Sequence, residues 1–169
     1  IGSRTLEKAE AAVKALQEIS PETPAEAMEN GDAAKAGEIV VLTVPAEHQE
    51  STLSSVKESL TGKILIDVTV PLVPPKVGTV QLPQEGSAGK RAQTLLGDEV
   101  MVVSAFQNIA AHLLKEDVKI ECDVLVTGNK KAARQRVIEM IESAGMVGWH
   151  AGPIDNAAAA EALTSILIQ

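Results

Sequence analysis

The sequence predicts an α/β fold with a doubly wound parallel sheet, and three observations lead there. Apolar residues recur at helical spacing in several stretches. Between those stretches lie short, continuous, β-branched runs with no polar alternation, and the two kinds of segment follow each other in turn. A strand written as an unbroken apolar run is covered on both faces, which is the situation of a parallel strand between helical layers.

The first helix spans Leu6 to Ile19. Leu6, Ala9, Val13, Leu16 and Ile19 share one face, while Glu7, Lys8, Glu10, Lys14 and Glu18 lie mostly on the other. Pro21 and Pro24 end it. A short helical segment at Asp32 to Ala36 leads through Gly37 into Glu38 to Pro45, a run expected to be a fully buried strand. Ala46 to Leu60 is helical, with Leu53, Val56 and Leu60 facing inward, and Thr61-Gly62-Lys63 turns the chain into a second buried strand, Ile64 to Val68.

From Pro71 to Gly89 four prolines and three glycines make a loop long enough to be functional. Arg91 to Leu96 is a short helix and Val100 to Phe106 a third strand. Asp123 to Gly128 is the fourth, and Lys130 to Ser143 an amphipathic helix closed by Gly145. Val147 to Trp149 and the apolar helix from Asn156 form a small C-terminal strand–helix extension. No repeat or linker divides residues 1 to 169, so a single domain is expected.

Composition excludes several functions. Phe106 and Trp149 are the aromatic residues, Tyr is absent, and the net charge is −8. Such a chain lacks both the stacking platforms and the cationic surface of a nucleic-acid binder. One cysteine, Cys122, forms no internal disulfide and reads as a small buried hydrophobe at the start of a strand, in a reducing compartment. His48, His112 and His150 are scattered without metal-ligand spacing. No apolar run approaches the ~20 residues of a membrane helix, and a cytoplasmic location is expected.

Gly2-Ser3-Arg4, with Lys8 one helical turn on, stands where a strand gives way to a helix. In dinucleotide-binding folds an acidic residue at that point takes the ribose 2′-hydroxyl of NAD, whereas a hydroxyl and an Arg take the 2′-phosphate of NADP. Arg4 offers a planar fork for phosphate and Lys8 a point charge. A solvated helix start with a capping Ser explains the same residues equally well in isolation; beside buried parallel strands, NADP is favoured. Leu42-Thr43-Val44-Pro45 ends a central strand, where ligands bind in such sheets, and His48 sits in the following first turn. Small and apolar residues close the other strands, at Val68 to Pro74 and Ser104 to Ala111. No GxGxxG, GxSxG or Walker loop occurs, nor an acid–base constellation, and Asp67 reads as a turn or cap group.

Five ordered blocks carry a resemblance that spans the chain: Gly2-Ser3-Arg4 with Glu7-Lys8-Ala9-Glu10, Val41 to Pro45 with Glu47-His48, Pro71-Leu72-Val73-Pro74, Val102-Val103-Ser104-Ala105, and Ala151-Gly152-Pro153-Ile154. Together they resemble the NADPH-dependent coenzyme F420 reductases (F420H2:NADP oxidoreductases). The resemblance implies a Rossmann-type fold and hydride transfer between NADP(H) and the deazaflavin coenzyme F420. It implies Ser3, Arg4 and Lys8 at the 2′-phosphate, Val44 and His48 along the cofactor, and Val73 and Ala111 towards the nicotinamide. The deazaflavin would stack across Pro71 to Pro75 and Phe106 to Ala111, and a homodimer is expected. Ala46 stands where some members carry Trp, and Gln107 and Ala110 replace His and Pro.

Members of that family begin with a strand, a glycine-rich GGTGxxG turn and a helix, a unit of roughly 30 residues. The resemblance therefore reads this sequence as an N-terminally truncated piece that also stops short of a C-terminal tail. As such it is expected to fold poorly and to bind NADP weakly. Two other readings stand beside it: another NADP-dependent reductase of the same fold, of the pyrroline-carboxylate reductase or hydroxyacid dehydrogenase type, and a non-catalytic NADP-binding redox module. The first needs a catalytic Lys or proton donor at the strand ends, where only Thr43, Gln107 and Asn108 are found.

Overall fold

The β-branched runs become strands and the amphipathic stretches become the helices that cover them. In the computed structural model, which describes residues 1–115 and 119–168, the chain runs through β1 (Gly2–Ser3), α1 (Leu6–Ile19), β2 (Met28–Glu29), α2 (Asn30–Ala36) and β3 (Ile39–Leu42). It continues through α3 (Gln49–Val56), β4 (Ile64–Asp67), α4 (Ala88–Leu96), β5 (Met101–Ser104), β6 (Asp123–Gly128), α5 (Lys131–Ser143), β7 (Val147–His150) and α6 (Ala157–Leu167). β3 to β7 form one five-stranded sheet in chain order, and β1 pairs in parallel with β2 as a separate ribbon.

The pleat of the central strands divides the core into two. Leu65 of β4 and Val102 of β5 face α3 and α4, packing with Leu53, Leu60, Ala92 and Leu96. Their neighbours Ile64, Ile66 and Val103 face the other way, onto Val137, Ile138 and Ile141 of α5. Alternate residues of one unbroken apolar strand thus serve opposite layers, as the doubly wound reading requires.

The sheet is not parallel throughout. β3, β4 and β5 are parallel, but β6 meets β5 antiparallel, at Val103↔Gly128 and Ser104↔Thr127, and β7 follows β6 in parallel. A parallel return needs a crossover, usually a helix, to bring the chain back to the starting end of the sheet. Among the described residues the β5–β6 connection carries only the 3-10 turn Leu113–Lys115, so the chain re-enters from the end at which it left. The expected all-parallel sheet is corrected accordingly.

Three element readings are also corrected. β3 is not fully buried: Val41 is 45% exposed, because that strand is paired with β4 alone and its other edge faces a cavity. The helix expected over Ala46 to Leu60 is split into a 3-10 turn (Ala46–His48), α3, and a second 3-10 turn (Lys57–Leu60). α4 begins three residues before Arg91, with Ser87 as its N-cap accepting from Lys90 N at 2.9 Å. Gly89 therefore belongs to a helix, where its missing side chain is needed: a Cβ there would lie 2.9 Å from the Ser104 Cβ.

Cys122 is half-buried just before β6, where its sulfur accepts from Asn108 Nδ2. The outward face of α6 is open in the single chain, with Leu163, Ile166 and Leu167 exposed. Among the described residues no helix is long and apolar enough to cross a membrane.

Candidate functional site

The candidate residues lie at the carboxyl ends of β1, β3, β4 and β5, the end at which an open α/β sheet binds its ligands. They form two regions, one polar and cationic, the other apolar.

The cationic region is built on β1. A Cβ on Gly2 would come within 2.9 Å of the Ala33 Cβ, so glycine lets this strand lie close against α2. Ser3 is half-buried at the strand end, and Arg4 and Lys8 are exposed. The N-cap of α1 is Thr5 rather than Ser3, and no side chain caps the helix. Lys8 N donates to Thr5 O at 3.2 Å, and the positive end of the helix dipole at Leu6 and Glu7 faces an anion placed beside Arg4 and Lys8. A cavity of about 280 Å³ separates β1 from the open edge of β3; Val44 lines it together with Ile1 and Gly2. His48 closes the 3-10 turn ahead of α3, half-buried, its ring Nε2 3.7 Å from Glu47 Oε1, and lies outside that cavity.

The apolar region is a cleft of about 400 Å³ between three walls: Val68, Val70 and Leu72 after β4, the Phe106–Ala110 segment after β5, and Thr164 and Leu167 of α6 with its C-cap Ile168. Its polar lining consists of Gln107, Asn108 and Thr164, and among the described residues no titratable side chain lines it. Val73 and Ala111 each follow directly on lining residues but do not line the cleft themselves. Phe106 adopts φ 73°, a left-handed turn that redirects the chain out of β5 into this wall.

Beneath the cleft lies a polar network. Asp67 ends β4 fully buried; its carboxylate accepts from Gln49 Nε2 and, at 3.0 Å, from Thr69 N. Gln49 also donates to Ala88 O at 3.0 Å and accepts from Arg91 Nε at 2.7 Å. Glu161 of α6 accepts from Ala88 N at 2.6 Å and Gly89 N at 3.0 Å, so both its oxygens cap α4 from across the chain. Gln107 donates to Asp67 O at 3.0 Å and Ser104 Oγ at 2.8 Å, and its own carbonyl accepts from Thr164 Oγ1 at 3.1 Å.

Burial pushes the Asp67 carboxyl above its ordinary range, although the bonds from Thr69 and Gln49 and the Arg91 charge act against it. Burial likewise pushes Glu161 up to about 7 from 4.5, opposed by the two backbone N–H bonds. A folded-state pKa above the unfolded one means that the native protein holds the proton longer. The stability that follows is fully present below pH 4.5 and lost as pH rises through about 7, an effect of up to about 3 kcal/mol at 1.36 kcal/mol per unit. Melting curves of the protein and of Glu161→Gln at pH 5 and pH 8 should show the parent losing more stability over that interval. Parallel losses in both proteins would exclude Glu161 as the source.

Burial and the Asp123 charge raise the Cys122 thiol pKa, which disfavours the thiolate nucleophile. No group of three or more His, Cys, Asp or Glu suited to a metal occurs among the described residues.

Of the residues singled out from sequence, the fold brings Val44 beside β1 and keeps Ser3, Arg4 and Lys8 together on the strand end and the first turn of α1. The Gln49–Asp67–Arg91–Glu161 network was missed. Its one sequence signal is Glu161, the only charge in the otherwise uncharged helix AAAAEALTSIL, since a carboxylate on an apolar face must find donors.

Residues 1–71 match the family described as NADP oxidoreductase, coenzyme F420-dependent. The F420-dependent NADP reductase of Methanocaldococcus jannaschii is 38% identical over 99% of this chain and 79% of its own. That of Methanothermobacter marburgensis is 36% identical with the same coverage. The crystal structure of a putative F420-dependent NADP reductase from Arthrobacter sp. FB24 superposes with a TM-score of 0.79 at 26% identity, over 99% of this chain and 80% of that one. With that identity and that coverage, the chain belongs to the F420-dependent NADP reductase family.

Proposed function

We propose that the protein carries hydride between NADP(H) and coenzyme F420 within a single dinucleotide-binding domain, NADP entering at β1 and the deazaflavin at the apolar cleft. The observation that carries this reading is the contrast between two regions, a cationic one at the end of the β1–β2 ribbon and an apolar one at the carboxyl ends of β4 and β5 in the main sheet. Exposed Arg4 and Lys8 flank a helix start without a side-chain cap, and the cleft after β4 and β5 has no titratable lining residue among the described residues. The nicotinamide and deazaflavin rings supply the electronics of hydride transfer when bound. The protein's own task is to hold flat rings and exclude water, for which an apolar lining suffices.

Ser3, Arg4 and Lys8 take the 2′-phosphate, Ser3 as a hydroxyl donor, Arg4 as a two-pronged one and Lys8 as a point charge. On a chain of net charge −8 such a cluster supplies the local cations that a phosphate requires. Val44 and His48 lie along the cofactor, with Val73 and Ala111 towards the nicotinamide end. The absence of titratable groups from the cleft lining among the described residues supports hydride transfer without proton donation and counts against a reductase that must protonate its substrate. A homodimer would cover the open face of α6 at Leu163, Ile166 and Leu167.

The protein is mixed with oxidised coenzyme F420 and either NADPH or NADH, and the deazaflavin absorbance is followed. Bleaching with NADPH but not with NADH is the expected result. A folded protein that binds NADPH yet leaves the absorbance unchanged would withdraw the deazaflavin from this reading.

A further inference from the structure

We propose that Glu161 and Thr164 of α6 are positioning residues that set the width of the apolar cleft, and through it the affinity for the deazaflavin. This rests on the cleft being the deazaflavin site.

Three walls must keep a fixed spacing if a flat ring is to be gripped, and two of them are irregular segments with no ladder of their own to hold them. The Val68–Leu72 wall starts at Asp67, whose carboxylate takes Thr69 N and whose carbonyl takes the Gln107 amide. That amide carries the Phe106–Ala110 wall, so the two loops are tied to each other at one point. The third wall, α6, is tied to both through side chains one turn apart. Thr164 Oγ1 lies 3.1 Å from Gln107 O and 3.0 Å from Ala160 O of its own helix; its one proton is shared between the two carbonyls, and the bond to Gln107 O ties α6 to the second loop. Glu161 grips Ala88 N and Gly89 N, and Ala88 O holds Gln49, whose amide reaches Asp67 at the root of the first.

Glu161 and Thr164 are three residues apart and share the buried face of α6, and the same helix lines the cleft with Thr164 and Leu167 and its C-cap Ile168. The element that lines the third wall is therefore also the clamp on the other two. Arg4 and Lys8 lie at β1 and take no part in these bonds.

The ionised carboxylate makes both bonds to α4, because each oxygen faces a backbone N–H. The charged groups facing it are Asp67 from β4, which opposes ionisation, and Arg91 from α4, which favours it; α6 carries no other charge. With its pKa near 7, Glu161 gains a proton as pH falls from 8 to 6, and one of the two bonds weakens.

The test compares Michaelis constants for both substrates in the parent protein, Thr164→Val and Glu161→Gln between pH 6 and pH 8. Thr164→Val keeps the shape and deletes the hydroxyl. It should raise KM for coenzyme F420 about 5-fold, roughly the loss of one buried hydrogen bond, while KM for NADPH stays within about 2-fold. In the parent, KM for coenzyme F420 should rise as pH falls; in Glu161→Gln it should be raised throughout and lose that dependence. Equal rises in both constants, or no change in either for folded Thr164→Val, would overturn the inference. Should Glu161→Gln fail to fold, Thr164→Val decides alone. A parent protein that transfers no hydride removes the underlying reading, a failure distinguishable from an active parent with indifferent variants.

Discussion

Replacing Arg4 with Glu should lower kcat/KM for NADPH by about 100-fold, through KM far more than through kcat. A factor of 100 corresponds to about 2.7 kcal/mol. Deleting one charge-assisted, two-pronged bond to phosphate and adding one like-charge repulsion can supply that much. The residue is exposed at the turn between β1 and α1, and the core clusters do not include it, so the substitution should leave the melting temperature nearly unchanged. An interaction made equally in ground and transition states changes KM and leaves turnover alone, and a phosphate remote from the transferred hydride makes one of that kind. KM for coenzyme F420 should not move. Discrimination between NADPH and NADH should shrink, since NADH has no 2′-phosphate to repel. Unchanged NADPH kinetics would remove Arg4 from the site.

The second large effect falls on the fold. Gly128 ends β6 opposite Val103, at the point where the sheet changes direction. A Cβ there would stand 2.8 Å from Val102 O, 3.3 Å from Val103 Cγ2 and 3.4 Å from Val103 Cα. Two of those atoms are backbone in a buried strand and cannot swing aside, so β6 itself must move. Movement breaks the short antiparallel junction, which consists of Val103↔Gly128 and Ser104↔Thr127. Overpacking of this kind costs about 1–3 kcal/mol, and we expect Gly128→Ala at the upper end. Gly31→Ala is the matched control. That glycine lies inside α2, has open space around its Cβ position and should be neutral or stabilising by up to about 1 kcal/mol. Urea midpoints of the two variants, each compared with the parent, give the answer. If Gly128→Ala unfolds at the parent's midpoint, the close crossing is not the constraint described.

The proposed cationic half could be assembled from the sequence because it is local. Ser3, Arg4 and Lys8 lie within one strand end and one helical turn, so their proximity follows from chain geometry. Val44 could be placed from the same logic, as the residue beyond a continuous β-branched run. The apolar half was legible only as two loops with a ligand-facing position. That α6 would supply their third wall depended on where the last helix docks, which is set by residues far apart in sequence.

The amino-acid order by itself located most helices and strands, though not β2 or the breaks within residues 46–60. Periodicities of 3.6 and 2 residues, prolines and glycines act over a few neighbouring positions, and so α1 and β6 match their expected bounds. Only the tertiary structure decided the antiparallel step from β5 to β6, the partial exposure of β3, and the capping of α4 by a carboxylate 72 and 73 residues away. Strand direction depends on the route by which the chain returns to the sheet. A buried carboxylate's partner depends on which backbone N–H groups the rest of the fold leaves within its reach. Both are properties of packing among distant segments, on which no local pattern bears.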